Sequence, residues 1–346
     1  MSETTALYRK YRPKTFKDVI GQEHIVKTLE GALKLGNIFH AYLFAGSRGT
    51  GKTTLARIVA QEIGASANDI YEIDAASNNG VDEMRVLNEA VSTLPLESPY
   101  KVYIFDEVHM FSKSAFNALL KTLEEPPKHV VFILATTEID KLPETVISRC
   151  QVFQLKKPSK EVLKQSASVV AKKEGFTLEA GVADLIALLG DGSFRDTQGI
   201  LQKIFSASKD KKVALAEVET ITGAPRGEIV NGFIEALEAK KLPSAIVALH
   251  QALAANVDAK VFLKLVLQKL RFVLLLRYAK EMEKEIVEEV SPDDFTFLKK
   301  FATASDSAIS SALLSELLVA YDAVGRAYIP ALPIELALVK LFGAAR

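Results

Sequence analysis

The sequence predicts an α/β domain with a parallel sheet, followed by two domains made of helices. Short apolar, β-rich runs alternate with helical patterns as far as Leu155, and beyond Pro158 only helical periodicity is seen. Strands that alternate with helices form parallel sheets with helices on both faces. A second boundary is predicted where the residues APRG at 224–227 form a hinge. The predicted domains are therefore residues 1–157, 158–223 and 224–346.

The predicted elements of the first domain follow from local apolar patterns. Apolar residues recur at helical spacing between Thr53 and Ile63, which predicts a helix there, and Gly64 is a plausible stop. Five runs have the length and composition of buried strands: Tyr42–Phe44, Ile70–Ile73, Val102–Phe105, Val130–Leu134 and Val152–Leu155.

The charge balance and the cysteine content limit the kinds of site that this chain can form. Forty-three basic residues balance forty-three acidic ones in a chain of 346, so contact with nucleic acid requires a local patch or assembly with other subunits. Cys150 is the single cysteine, which excludes an intramolecular disulfide and a site with several cysteine ligands.

No membrane span or secretion signal is predicted. The first 17 residues lack the apolar segment of a signal peptide. The most apolar later stretch, Val261–Tyr278, is interrupted by Lys264, Lys269, Arg271 and Arg277, so we interpret it as a buried helix. A cytoplasmic location is expected.

A glycine-rich stretch after the first strand matches a phosphate-binding loop, or P-loop, of the form Gly, four residues, then Gly-Lys-Thr. The strand that precedes it and the helix that follows make a chance glycine turn the weaker reading. Backbone N–H groups of such a loop surround phosphate oxygens, Lys52 faces the β- and γ-phosphates, and the Thr53 hydroxyl can bind Mg²⁺. The predicted ATP-binding residues of the loop are Gly46, Ser47, Arg48, Gly49, Thr50, Gly51, Lys52, Thr53 and Thr54.

Two acidic residues end the strand Val102–Phe105, where P-loop proteins place a second motif. Asp106 is predicted to hold Mg²⁺, and Glu107 to orient the water that attacks the γ-phosphate. Acidic pairs at strand ends are common, so this motif indicates an ATP site only in combination with the P-loop upstream. Residues 106–109 also read as a helicase DExH box, but the helical chain after Pro158 does not fit a second α/β half.

Three segments carry a resemblance to a known family. Tyr8–Pro13 (YRKYRP), Phe16–Gln22 (FKDVIGQ) and Ser112–Pro127 (SKSAFNALLKTLEEPP) are similar to the gamma/tau ATPase subunits of bacterial DNA polymerase III clamp loaders, which are AAA+ proteins. The resemblance implies a sheet of order 5-1-4-3-2, a small helical lid domain and an all-α collar domain. It covers essentially the whole chain and is weak beyond Pro225.

The resemblance also implies roles for residues outside the P-loop. Matching positions suggest that Arg12, Pro13, Val19 and Ile20 contact the base and ribose of ATP, although Val19 and Ile20 also read as ordinary core residues.

Three further motifs of the family sense or complete the ATP site. Thr137, preferred over Thr136, resembles sensor 1. Arg149, in Ser148-Arg149-Cys150, resembles the arginine that reaches the ATP of a neighbouring subunit, although a lone arginine is usually a solvated surface residue. Arg195 resembles sensor 2, which would couple ATP binding to the angle between domains; a surface pair with Asp196 is the alternative.

The chain departs from the family where a four-cysteine zinc module would follow the P-loop helix. Residues 64–68 (GASAN) lead directly to Ile70, so zinc is predicted to be absent. We also expect no long carboxy-terminal extension of the tau kind, which puts tethering of polymerase and helicase by such an extension in doubt.

The resemblance implies an ATP- and Mg²⁺-dependent motor that opens a sliding clamp and loads it onto primed DNA. The implied partners are delta and delta-prime type subunits, further copies of this chain, the clamp and primer-template DNA. Lys113 and Ser114 are candidate DNA contacts or merely a solvated helix start. The rival hypotheses are a non-hydrolysing scaffold subunit of the delta-prime type and another AAA+ motor.

Overall fold

The computed structural model of the protein describes residues 5–208, 210–255, 257–290, 292–304 and 306–343. The chain divides into two compact units. The first contains the described residues up to Ser166 together with Gly190–Gly199, and the second contains Ala167–Leu189 and the described residues from Ile200 onward. The three predicted domains are a finer division and stay a prediction.

Five strands form one parallel sheet in the first unit, and every predicted strand is present. Their bounds are β1 Ala41–Ala45, β2 Ile70–Asp74, β3 Lys101–Asp106, β4 Val130–Thr136 and β5 Gln151–Gln154. The order is β2-β3-β4-β1-β5, which confirms the predicted sheet order. Because β1 pairs with both β4 and β5, the loop after β1 lies at the carboxyl edge of the sheet among the other strand ends.

Alternating side chains of the sheet build two apolar layers, one on each face. Tyr42 and Phe44 pack with Leu55 and Ile58 on one face, whereas Leu43 belongs to the opposite cluster. Since successive side chains of a strand point to opposite faces, a strand covered on both sides must be apolar at nearly every position. The helices up to β5 are α1 Leu7–Lys10, α2 Glu23–Lys34, α3 Lys52–Glu62, α4 Val81–Val91, α5 Lys113–Glu124 and α6 Glu144–Ile147, with 3₁₀ turns at Phe16–Asp18, Ala67–Asp69, Val108–Met110 and Ile139–Lys141.

The chain after β5 is mainly helical, as predicted. Its elements as far as Thr222 are α7 Lys160–Lys173, β6 Thr177–Leu178, α8 Val182–Leu189, α9 Phe194–Ala207, β7 Lys212–Val213 and α10 Leu215–Thr222. The expectation of helical structure alone between 158 and 223 is wrong in one detail, because β6 and β7 pair in parallel. A strand of two residues is too short to show an alternating pattern in the sequence.

The helices from Gly227 onward bury a common apolar core around one long helix. They are α11 Gly227–Glu238, α12 Leu242–Ala254, α13 Ala259–Tyr278, α14 Glu283–Glu289, α15 Pro292–Ala302, α16 Ser311–Val324 and α17 Leu332–Phe342, with a 3₁₀ turn at Lys280–Met282. Phe262, Val266 and Leu270 of α13 are fully buried in this core.

Two charged residues of α13, Lys269 and Arg277, have polar partners inside the second unit. Lys269 pairs with Asp294 and donates to Asn231, and Arg277 donates to the carbonyl oxygens of Phe301 and Ile309. Buried charges are tolerated when they are paired in this way. Within the described ranges, no helix is both long and apolar enough to cross a membrane.

Candidate nucleotide-binding site

The loop between β1 and α3 has the backbone of a phosphate-binding loop. Gly49 and Gly51 have φ of 73° and 106°, a region that glycine enters without steric cost. Gly51 caps the amino end of α3, whose first N–H groups have no partner within the helix. Thr50 stabilises the turn by donating from Oγ1 to the Ser47 carbonyl oxygen at 2.8 Å. The helix end and the loop together form a site that favours a phosphate anion.

Lys52 is buried inside this loop. Its Nζ donates to the carbonyl oxygens of Gly46 and Ser47 at 2.8 and 3.0 Å, and only 5% of the residue is exposed. Burial lowers the pKa of Lys52, while the nearby carboxylates of Glu107 and Asp106 act in the opposite direction. The carbonyl groups of the P-loop therefore hold the lysine side chain against the loop.

Thr53 joins the P-loop helix to the end of β3. Its Oγ1 donates to Asp106 Oδ2 at 2.8 Å, and Asp106 Oδ1 accepts the backbone N–H of Glu107. A hydroxyl and a carboxylate oxygen side by side are hard oxygen ligands of the kind that Mg²⁺ prefers. The donor set predicted for the metal is thus brought together and fits Mg²⁺. Thr54, on the next position of α3, is partly buried.

Glu107 has an unusual backbone and a carboxylate that is held in place. Its φ of 50° and ψ of 44° are left-handed, a conformation that costs a residue other than glycine free energy and is often kept at functional sites. Thr137 Oγ1 donates to Glu107 Oε2 at 3.0 Å. Thr136, by contrast, is fully buried and its Oγ1 accepts the N–H of Glu138. Of the two threonines, Thr137 is the one that bonds the Glu107 carboxylate.

A cavity of about 700 Å³ opens beside these residues in the first unit. Its lining combines five arginines with two carboxylates, Glu72 and Asp106, and the arginines are Arg9, Arg12, Arg48, Arg57 and Arg195. This excess of positive charge in a concave site favours a polyanion such as a triphosphate. Tyr8 and Thr53 complete the lining.

Sequence reasoning missed several of these lining residues. Arg57 follows Thr53 by four positions on α3, so helical spacing places both on one face and could have revealed it. Arg57 donates twice to Glu72, at 2.7 Å each, which fixes the arginine at the cavity wall. Nothing in the local sequence marks Glu72 as its partner, since the pair depends on how β2 lies beside α3.

Arg12 lies where several cations crowd together. Burial lowers the pKa of Arg12, Arg57 lowers it further, and Glu72 acts in the opposite direction. Arg195 and Arg9 add to the lowering. Like charges held this close repel one another, so a bound anion would relieve the repulsion.

Arg195 reaches the cavity through a segment that contacts the P-loop. Phe194 N–H donates to the Gly49 carbonyl oxygen at 3.0 Å, and the Arg195 guanidinium lies 5.8 Å from the centroid of the Tyr8 ring. Gly190–Gly199 belongs to the same compact unit as the P-loop. The structure therefore brings the predicted sensor 2 arginine and the P-loop into one site.

Other predicted residues lie outside the lining of the cavity. Pro13, Val19 and Ile20 are not among its described lining residues: Val19 packs partly buried against the core, and Ile20 is 36% exposed. Their contact with the base stays a prediction. Lys113 and Ser114 begin α5 after the capping residue Ser112, whose Oγ accepts the Ala115 N–H.

Arg149 follows the short helix α6 and is bonded within its own unit. Its guanidinium donates to the Thr145 carbonyl oxygen at 2.7 Å and to Glu124 Oε1 at 2.6 Å. The side chain keeps a third of its surface exposed, so a neighbouring molecule can reach it. Its action on the ATP of another subunit stays a prediction.

The zinc prediction also stays a prediction. Across the part of the chain that the structure describes, no group of three or more His, Cys, Asp or Glu residues is placed to hold a metal ion. The Cys150 thiol is half-buried, and burial raises its pKa to about 12.

The fold and the site define a P-loop protein of the AAA+ class. The branch-migration motor RuvB of Thermotoga maritima shares the fold, with a TM-score of 0.54 at 22% identity over 66% of this chain and 79% of RuvB. Residues 64–159 match the family model described as DNA polymerase III, delta subunit.

Curated relatives name the family more narrowly. DNA polymerase III subunit tau of Bacillus subtilis is 40% identical over 310 residues, which is 84% of this chain and 55% of that protein. Subunit tau of Escherichia coli is 38% identical over 73% of this chain and 42% of its own length. Over the length that aligns, the chain is homologous to the gamma/tau subunits of DNA polymerase III. It spans about half the length of these relatives.

Proposed function

We propose that this chain is the ATP-hydrolysing motor subunit of a DNA polymerase III clamp loader. Its main support is one contact, the 2.8 Å hydrogen bond from Thr53 to Asp106, which unites the P-loop with the acidic end of β3. A nucleotide site that only binds has no need for the held carboxylate of Glu107 beside it. Homology to gamma/tau subunits of DNA polymerase III supports the choice of clamp loading over other tasks.

The P-loop would bind the phosphates of ATP. The amino end of α3 favours the negative charge, and Lys52 would exchange its bonds to Gly46 and Ser47 for phosphate oxygens. The arginines of the cavity add charge-assisted contacts to the rest of the triphosphate. These residues would supply binding and orientation.

Thr53 and Asp106 would hold Mg²⁺, which when bound neutralises charge on the β- and γ-phosphates. Glu107 would orient the attacking water and accept its proton, held for this task by Thr137. Arg195 would contact the γ-phosphate in cis, and Arg149 would reach the site of a neighbouring subunit. An arginine delivered in trans makes hydrolysis depend on assembly.

The assembly would contain delta and delta-prime type subunits and further copies of this chain, acting in the cytoplasm on a sliding clamp and primer-template DNA. ATP can drive clamp opening only if the open state binds ATP more tightly than the closed state does. Hydrolysis after DNA binding would then release the clamp.

Two other functions predict different behaviour. A scaffold subunit of the delta-prime type would bind nucleotide without turnover, and the close approach of Thr53, Asp106, Glu107 and Thr137 argues against it. Another AAA+ DNA motor would hydrolyse ATP without any response to a clamp. The fold shared with RuvB does not separate these functions, since at 22% identity it speaks for the fold alone.

The test is steady-state ATP hydrolysis by the full chain assembled with its clamp-loader partners. We expect strong stimulation by clamp together with primed DNA, and loss of turnover in Lys52→Ala. Nucleotide binding without hydrolysis in every combination would leave the scaffold subunit as the better account. Hydrolysis that ignores the clamp would favour another AAA+ motor.

A further inference from the structure

The imidazole of His109 lies between two carboxylates next to the candidate catalytic residues. Only 8% of its side chain is exposed, and it belongs to the 3₁₀ turn Val108–Met110 directly after Glu107. Its Nδ1 lies 3.1 Å from Thr136 Oγ1 and 3.5 Å from Glu107 Oε2. Its Nε2 lies 3.4 Å from Glu138 Oε1. One ring thus connects the residues that follow β3 with those at the end of β4.

Glu107 is contacted on two sides as a result. Thr137 donates to Oε2, and His109 approaches the same oxygen. A glutamate that is 34% exposed would otherwise sample several rotamers, because its side chain has three rotatable bonds. Its left-handed backbone also persists only where the surroundings hold it. The two contacts therefore select one position of the carboxylate.

The other end of the ring contacts Glu138, which precedes the 3₁₀ turn Ile139–Lys141. Glu138 Oε2 pairs with Lys141 at 2.8 Å, and the Glu138 N–H donates to Thr136 Oγ1 at 3.0 Å. Thr136 is the last residue of β4 and is fully buried in the sheet. The anchor therefore combines the buried Thr136 with the exposed ion pair of Glu138 and Lys141. This arrangement transmits the position of the β4 end to Glu107.

We propose that His109 is a positioning residue for ATP hydrolysis. Its Nδ1 side holds the Glu107 carboxylate where it can orient water, and its Nε2 side fixes the ring on Glu138. The inference rests on the proposed function, in which Glu107 acts on the attacking water. A histidine that merely filled space would affect the stability of the fold and the turnover together.

Two substitutions separate the two ends of the ring. The side-chain amide of Asn reaches the place of Nδ1, whereas that of Gln reaches the place of Nε2. His109→Asn therefore keeps the contact with Thr136 and Glu107, and His109→Gln keeps the contact with Glu138. Both variants keep a polar group in the pocket, so both are expected to fold.

The experiment measures kcat and KM for ATP in the full chain assembled with clamp-loader partners, clamp and primed DNA. We expect His109→Gln to lose about 10-fold or more in kcat with an unchanged KM, because a misplaced group lowers the rate without weakening binding. His109→Asn should stay within about 3-fold of the natural chain, since it retains the contact that positions Glu107. Thermal melting of both variants is measured in parallel.

The outcomes are distinct for the two proposals. Unchanged kcat in His109→Gln would overturn the positioning role, and so would equal losses in both variants that follow their melting temperatures. If clamp and primed DNA stimulate ATP hydrolysis by the natural chain and Lys52→Ala shows no turnover, the proposed function stands whatever the His109 variants do. If the natural chain shows no turnover at all, both proposals are overturned.

Discussion

Thr53 Oγ1 donates a hydrogen bond to Asp106 Oδ2 at 2.8 Å, although 53 positions separate the two residues in the chain. Thr53 is the second residue of α3, which follows the P-loop, and Asp106 ends β3, which lies two strands from β1 in the sheet. Both oxygens are magnesium ligands in the proposed function, so the direct bond marks where the ion would enter. The contact between Thr53 and Asp106 depends on the order of the strands in the sheet.

Removal of either oxygen should weaken the response to magnesium. We expect Thr53→Ala and Asp106→Asn to raise the Mg²⁺ concentration for half-maximal ATP turnover by at least about 10-fold, because each variant loses an oxygen ligand or its charge. Titration of ATPase activity with MgCl₂ at fixed ATP measures this. Thr28→Ala, on the exposed part of α2, is the control. Equal magnesium requirements in all four proteins would contradict the metal site.

Loss of the Glu107 carboxylate should stop turnover while ATP still binds. Groups that accept a proton in the transition state contribute about 10²–10⁴-fold in rate, so Glu107→Gln should lose at least about 10²-fold in kcat. Thr137→Val removes only the hydroxyl that holds Glu107 and should lose less. Binding of a fluorescent ATP analogue, measured alongside turnover, should be unchanged in both. A Glu107→Gln protein with natural kcat would remove Glu107 from the mechanism.

The crowded arginines of the cavity should contribute to nucleotide affinity. Arg12→Gln removes one cation from a site where burial and neighbouring arginines already lower the pKa of Arg12, and its loss should weaken ATP binding by about 10-fold. Lys17→Gln removes an exposed cation five positions further along the chain, outside the lining of the cavity, and is the matched control. Calorimetric titration with ATP compares the three proteins. Identical dissociation constants would show that Arg12 does not contact the nucleotide.

Two glycines with nearly equal φ angles allow a matched test of the P-loop. Gly49 and Gly36 have φ of 73° and 74°, but a Cβ at Gly49 would overlap Ser193, whereas one at Gly36 meets no atom within 4 Å. Gly36→Ala should cost about 1–2 kcal/mol of unfolding free energy through its backbone alone and leave ATP binding unchanged. Gly49→Ala should destabilise the chain further and also weaken ATP binding.

Chemical denaturation and ATP titration of both glycine variants measure these effects. The added loss in Gly49→Ala is expected because Ser193 and Phe194 must move away from the loop. Equal stability and equal ATP affinity in the two variants would show that the contact between Gly49 and the 193–194 segment is unimportant.

Asp69 should stabilise the first unit through its charged form. The buried carboxylate accepts from the N–H groups of Leu96, Glu97 and Ser98 and from two serine hydroxyls. Burial alone would raise the pKa of Asp69, but these hydrogen bonds outweigh it and hold the pKa well below its usual range. Because the pKa of Asp69 is lower in the folded chain, its carboxylate stabilises the fold fully above about pH 4, the pKa of an aspartate in the unfolded chain. This stabilisation is lost as the pH falls further.

The test compares Asp69→Asn with Asp140→Asn, an exposed control, by thermal melting between pH 3 and pH 7. Asp69→Asn should melt below the natural chain at pH 7, and the difference should shrink once the pH drops below about 4. A difference that stays constant over the whole range would mean that the charge of Asp69 is not what stabilises the loop at residues 96–98.

Much of the fold was predictable because its signals are local. The five strands are apolar runs that a doubly covered sheet requires, and helical spacing marks α3 directly after the P-loop. The strands β6 and β7 were missed because two residues carry no period. The P-loop residues were equally visible, since backbone geometry demands glycine at fixed positions.

The remaining site residues could not be found from local patterns. Glu72 is one acidic residue in a strand, and only the approach of β2 to α3 places it against Arg57. His109 stood beside the acidic motif and was read as part of a helicase box, because nothing in the sequence shows that its ring meets Thr136 and Glu138.

By itself, the sequence determined the class of this protein. The P-loop, the acidic strand end and the alternation of strands and helices are each recognised from residues that lie close together in the chain, where the backbone geometry fixes which residue types are possible. Only the tertiary structure decided which of the predicted site residues lie together in one site. Thr53 meets Asp106, Thr137 meets Glu107 and Arg195 meets the cavity because strand order and helix packing bring distant segments together. Those distances depend on the packing of the whole unit, which no local pattern encodes.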